Sequence, residues 1–105
     1  MERRDKVLQD IRYQIQEAII RLPTLPQDGT RLETTLKLAY QLVDQLLADP
    51  SQRDLCVDLA AAVRSAKKSA DALPARHPEK GKDIARHIAN AETLLNDLTA
   101  WYTLN

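Results

Sequence analysis

The stretch Leu32-Glu-Thr-Thr-Leu36-Lys-Leu38-Ala39-Tyr40-Gln-Leu42-Val43-Asp-Gln-Leu46-Leu47 carries more apolar surface than one neighbouring helix can cover. At about 100° per residue, Leu32, Leu36, Ala39, Val43 and Leu46 line a single seam. Leu38 and Leu42 widen it on one side, Tyr40 and Leu47 on the other, so the apolar arc spans roughly 200°. A helix of this kind needs two or more partners, supplied by the same chain or by a second copy of it.

The flanking sequence supplies candidates. Residues 5–22 read as a first helix, with Asp5 as its N-cap and Leu8, Ile11, Ile15, Ala18, Ile19 and Leu22 on one face. Tyr13 and Ile20, seven residues apart, fall on the opposite face. Two prolines and a glycine in residues 22–29 predict a loop. Thr30 and Glu33 have capping-box spacing and start the second helix, which Asp49 and Pro50 end near Ala48. Ser51 with Asp54 predicts the cap of a third helix reaching Leu73, its seam of Leu55, Leu59, Ala62, Val63, Ala66, Ala70 and Leu73 rich in alanine and suited to close packing. Pro78 is placed for the first turn of a fourth, with Ile84, Ile88, Ala91, Leu95, Leu98 and Tyr102 inward. Four seams and three short connections predict an all-α fold, an antiparallel up-down-up-down four-helix bundle forming one domain over residues 1–105. A dimer pairing helices between chains is the open alternative.

Composition agrees with that class. Of 105 residues two are glycine and none is phenylalanine, while strong helix formers dominate. Formal net charge is zero, which argues against a global field that draws in nucleic acid or an acidic membrane. The single cysteine, Cys56, at the edge of the third seam, reads as a small buried hydrophobe. The start MERRDKVLQD has no apolar signal core and no run reaches transmembrane length, so the expectation is a soluble cytoplasmic protein.

Chemistry finds little support. Di-metal bundles need inward glutamates and Glu-x-x-His pairs, whereas Glu17, Glu33 and Glu92 fall off the seams and neither His77 nor His87 follows a glutamate at that spacing. Asp83 and His87 alone cannot close a metal site. No local Ser, His and Asp arrangement or glycine-rich phosphate cradle is present. The sequence therefore predicts no catalytic residue, no cofactor and no metal. His87 lies inside the fourth helix's apolar arc, on a stripe with Asp83, Asn90, Leu94 and Trp101. It reads as a boundary histidine satisfied by Asp83 or solvent; a sharper reading makes it a pH-sensitive contact at an interface.

The segment His77-Pro78-Glu79-Lys80-Gly81 resembles the His-x-x-Lys-Gly core of histidine phosphotransfer domains, which are four-helix bundles of similar size. The resemblance covers five residues and implies His77 as phosphoacceptor with Lys80 as its charge partner. In that family the histidine lies within a helix and an apolar residue usually stands two positions after it. Here Pro78 follows directly and Glu79 takes the apolar place.

Charge and exposed apolar residues carry the functional expectation. The predicted topology collects Arg64, Lys67, Lys68, Arg76, Lys80, Lys82 and Arg86 at the pole of the first and third turns, a basic patch suited to an acidic partner. The opposite pole, with Asp44, Asp49, Asp54, Asp58 and Asp97, is acidic. Tyr13, Ile20, Leu38, Leu42, Leu94 and Trp101 exceed what a minimal core needs and form the predicted partner-binding set. The chain reads as a non-catalytic helical interaction module, binding a protein partner or itself through the second helix.

Overall fold

The computed structural model describes residues 3–25 and 30–104, and four long helices account for most of them. They are α1 (Arg3–Arg21), α2 (Thr30–Ala48), α3 (Arg53–Ala70) and α5 (Lys80–Leu104), with a one-turn helix α4 (Leu73–Arg76) before the last. No strand occurs among the described residues. The fold is an all-α helical bundle.

Each long helix turns a seam inward because its apolar residues recur every three or four positions. Leu8, Ile11, Ile15, Leu36, Val43, Leu46, Leu59, Ile84, Leu95 and Leu98 are all fully buried in one core. α1 packs against α2 and α5, and α3 against α2 and α5. The α1–α5 contacts run in opposite directions along the two helices: Arg4 meets Trp101, Gln14 meets His87 and Arg21 meets Asp83. At the start of α3, Arg53 Nη1 donates to the Tyr102 carbonyl at 2.9 Å, and Tyr102 Oη donates to the Pro50 carbonyl at 2.9 Å. These bonds fix the end of α5 against the turn between α2 and α3.

The wide arc of α2 is filled within one chain. Leu32, Leu36, Ala39, Leu42, Val43 and Leu46 are buried, and Tyr40 and Leu47 pack half-buried against the core. Leu38 alone of the arc stays exposed, at 51%.

Local chemistry moves several boundaries. The expected Ser51 cap does not form; Asp49 organises the turn instead, accepting from the Ser51 hydroxyl at 2.6 Å, the Ser51 amide at 3.2 Å and the Gln52 side chain at 2.9 Å. These bonds, Ser51's first, hold the Asp49 carboxyl below its ordinary range. Glu33 pairs with Lys37 at 2.7 Å one turn on, and Thr30 is already helical. α3 stops at Ala70, short of the expected Leu73. Pro74 has no N–H for a continuing helix and disfavours helical backbone before it, so the chain restarts as α4 with proline in the first turn, where no N–H is needed. Leu22–Thr24 form a 3-10 turn; Leu22 is inward as expected, and Leu25 also plugs the core, from what the sequence marks as loop. The rest of that loop, residues 26–29, and the charges at Glu2 and Asp28 lie outside the described residues.

The HxxKG-like segment bridges α4 and α5. His77 ends α4, its amide donating to the Leu73 carbonyl at 2.8 Å, and its carbonyl accepts from the Gly81 amide at 2.8 Å. A phosphotransfer-type histidine within a helix is therefore not what this segment builds. Gly81 is buried under Leu73, a placement explained by space alone, since its φ is not positive.

Candidate functional site

α1 carries an exposed, uncharged stripe with a groove on each side of it. Its inward seam leaves Gln9, Tyr13, Gln16 and Ile20 pointing away from the core, all exposed, at spacings of four, three and four residues. That is the spacing of a coiled-coil seam, and the stripe runs for about 16 Å along the helix. It holds no charge, in a chain whose residues are 29% charged. Tyr13 is 57% exposed and Ile20 58%, the two apolar members two turns apart.

A groove flanks this ridge on each side. Between α1 and α5 a hollow of about 370 Å³ is lined by Asp10, Tyr13, Gln14, Asn90, Thr93 and Leu94. Between α1 and α2 a second, of about 290 Å³, is lined by Gln16, Ile19, Lys37, Tyr40 and Gln41. Arg12 closes the second toward the chain ends, its guanidinium 4.9 Å from the Tyr40 ring centroid and 3.0 Å from Asp44. Asp10, exposed, has no cationic partner among the described residues, which leaves the α1–α5 groove acidic at that end. Tyr13 Oη reaches Glu17 at 3.5 Å, so the phenol stands over the groove rim rather than folding into the core.

The expected partner-binding residues divide. Tyr13 and Ile20 share the ridge of α1, and Leu94, half-buried, lines one groove beside it. Leu42 is 7% exposed and belongs to the core, because the α2 arc closes over α3; it offers no docking surface. Leu38 is exposed on α2, away from α1. Trp101 sits at the other end of α5, half-buried, with the Arg4 guanidinium 5.3 Å from its centroid and the Tyr102 ring edge-on at 5.0 Å. Sequence reasoning missed Gln9 and Gln16, although their spacing with Tyr13 and Ile20 was visible. It also missed Val57, 68% exposed on α3 with no neighbouring apolar signal.

The basic patch is spread over α3, α4 and α5. Lys67 is neutralised by Asp71 at 3.0 Å and Arg86 by Asp83 at 2.6 Å. Arg64, Lys68, Lys80 and Lys82 are exposed without an acidic partner among the described residues. Arg76 and Lys80 line a shallow hollow of about 480 Å³ with His77, Pro78 and Glu79, whose carboxylate interrupts the positive surface.

Reactive groups are scarce. Burial pushes the Cys56 thiol up, away from the reactive thiolate, with Thr99 beside it. Among the described residues no three His, Cys, Asp or Glu side chains converge as a metal site, and no helix is long and apolar enough to cross a membrane. His87 is the buried polar residue of the core, 9% exposed. Its ring bonds Gln14 of α1, not Asp83 or solvent, the partners expected for it.

The fold and its grooves define a helical bundle with an open, uncharged stripe along one helix. The chain matches no known family, no curated protein and no solved structure.

Proposed function

We propose that the protein is a non-catalytic cytoplasmic interaction module that receives an α-helix of a partner protein along the outer face of α1. The charge-free stripe Gln9-Tyr13-Gln16-Ile20 between two grooves carries this reading. An uncharged stripe at coiled-coil spacing fits the apolar seam of an amphipathic helix. Tyr13 and Ile20 act as the anchors, the glutamines fix register by hydrogen bonding, and Asp10 selects a partner helix bearing Lys or Arg at its edge. α2 has an exposed stripe of the same spacing, Thr34, Leu38, Gln41 and Gln45, but with one large apolar residue where α1 has two.

Photo-crosslinking from position 16, followed by identification of the linked segment, tests the proposal. The expected product is an amphipathic helical segment with a basic edge, and Tyr13→Ala weakens its binding at least about thirty-fold, the loss typical of a hot-spot anchor. The melting temperature stays within a degree or two of wild type, since Tyr13 is exposed. Binding unchanged in a Tyr13→Ala, Ile20→Ser double variant overturns the proposal. A dimer that the double variant dissociates makes a second copy the occupant and overturns the heteromeric reading.

A further inference from the structure

The α1–α5 seam contains a polar node that the docking reading does not use. His87 Nδ1 lies 2.7 Å from Gln14 Oε1; with the amide oxygen facing the ring, Nδ1 is the donor and the Nε2 lone pair is left over. Nε2 is buried and has no hydrogen-bond partner. The nearest carboxylate oxygen, Asp83 Oδ1, is 3.9 Å away, beyond bonding distance. That oxygen already accepts from Arg86 Nη2 at 2.6 Å, while Asp83 Oδ2 accepts from Arg21 Nε, a link from the end of α1 to the start of α5. The charges facing the imidazole are Glu17 and Arg21 on α1 and Asp83 and Arg86 on α5. Two anions and two cations already balance.

From this geometry we propose that His87 is an acid-operated latch on the α1–α5 seam: protonation at the buried Nε2 adds a cation to a node whose charges already balance and drives α1 away from α5. The bond to Gln14 survives protonation, because Nδ1 donates in both forms. The strain falls on Nε2, which then carries a proton that no acceptor reaches. Relief comes from water entering the seam, and water enters where α1 lifts from α5 beside Arg21 and Asp83. The proposal does not rest on the docking reading, although Gln14 also lines the α1–α5 groove and an opened seam would reshape it.

The sign follows from linkage. Burial first, and the Arg21 charge second, hold His87 below its ordinary value of 6.5 in the folded protein. Above 6.5 the imidazole is neutral in both folded and unfolded chains and the full stability is present. As pH falls below 6.5 the unfolded chain takes up a proton that the folded seam refuses, and stability declines until the folded value is reached. Asp83 and Asp49, held low by their hydrogen bonds, begin to lose their contribution only near 3.8, so the histidine decline sets in first as pH falls.

Histidine-selective NMR titration of the intact chain tests the latch directly. The expected result is His87 as the Nδ1–H tautomer, titrating below 6.5, with amides on the α1–α5 seam losing more protection on acidification than those between α2 and α3, once rates are corrected for the intrinsic pH dependence of exchange. The unfolding constant rises by as much as about tenfold per pH unit below 6.5, the slope of one proton. His87→Asn, which keeps a donor toward Gln14 and cannot titrate, abolishes that slope. If the variant fails to fold, the wild-type titration still decides. His87 titrating at or above 6.5, the Nε2–H tautomer, uniform exchange across the bundle, or an unchanged slope in His87→Asn each overturns the proposal.

Discussion

Gly81→Ala is expected to cost about 2 kcal/mol of stability, although alanine is the better helix former. A Cβ at this position would stand 2.7 Å from the carbonyl carbon and oxygen of Leu73 and 2.9 Å from its Cβ. Two of those three atoms are backbone and cannot swing aside as a side-chain tip would. Leu73, 5% exposed, is the residue that holds α4 down, so the overlap forces α4 off α5. Propensity returns up to about 1 kcal/mol for glycine to alanine in a helix, against an overpacking cost of about 3 kcal/mol at the upper end of its usual range. The steric term wins. A urea titration reads the loss as a lower midpoint with an unchanged slope. A midpoint at or above that of wild type would show that α4 yields without cost and that the close approach is incidental.

That glycine explains part of what the sequence could and could not show. The periodic seams of residues 8–22, 32–47, 55–70 and 84–102 were legible because helix burial repeats with the helix turn. The bundle follows from them. Local turn chemistry was less legible. Asp49, rather than Ser51, gathers the hydrogen bonds before α3, because a carboxylate can accept from several donors and a hydroxyl competes for the same backbone. The break before Pro74 is a local effect that the helical seam, continuing in phase to Leu73, conceals, while the use of Gly81 depends on how closely two backbones approach, which no single-helix pattern contains. The candidate site was half legible. Tyr13 and Ile20 show themselves as apolar residues on a polar face, while Gln9 and Gln16 count only once the whole stripe is seen to lack charge. His87 was visible as a histidine inside an apolar arc. Its partner was not, since Gln14 lies 73 positions away and carries no charge to suggest a pairing.

Leu42→Ala and Leu38→Ala should differ by about 2 kcal/mol or more, although the two leucines widen the same side of the α2 seam. Four residues turn a helix by about 40° beyond a full circle, and that rotation carries Leu42 under α3 while leaving Leu38 at the rim. Leu42 at 7% exposure leaves a cavity when truncated, with a cost of about 2–5 kcal/mol set by how far α2 and α3 can collapse. Their alanine-rich contact, with Ala60 and Ala62 already buried, has little side chain left to fill the gap, which places the cost in the middle of that range or above. Leu38 at 51% exposure loses contact mostly with water, and its replacement should stay within about 0.5 kcal/mol. Thermal unfolding of both variants at two protein concentrations separates this from self-association through α2. If Leu38→Ala were as damaging as Leu42→Ala, and only at the higher concentration, a second copy would be covering Leu38. Equal small effects would mean that the α2–α3 seam is loose. A large loss at Leu42 alone, independent of concentration, is what a wide arc filled from within a single chain requires.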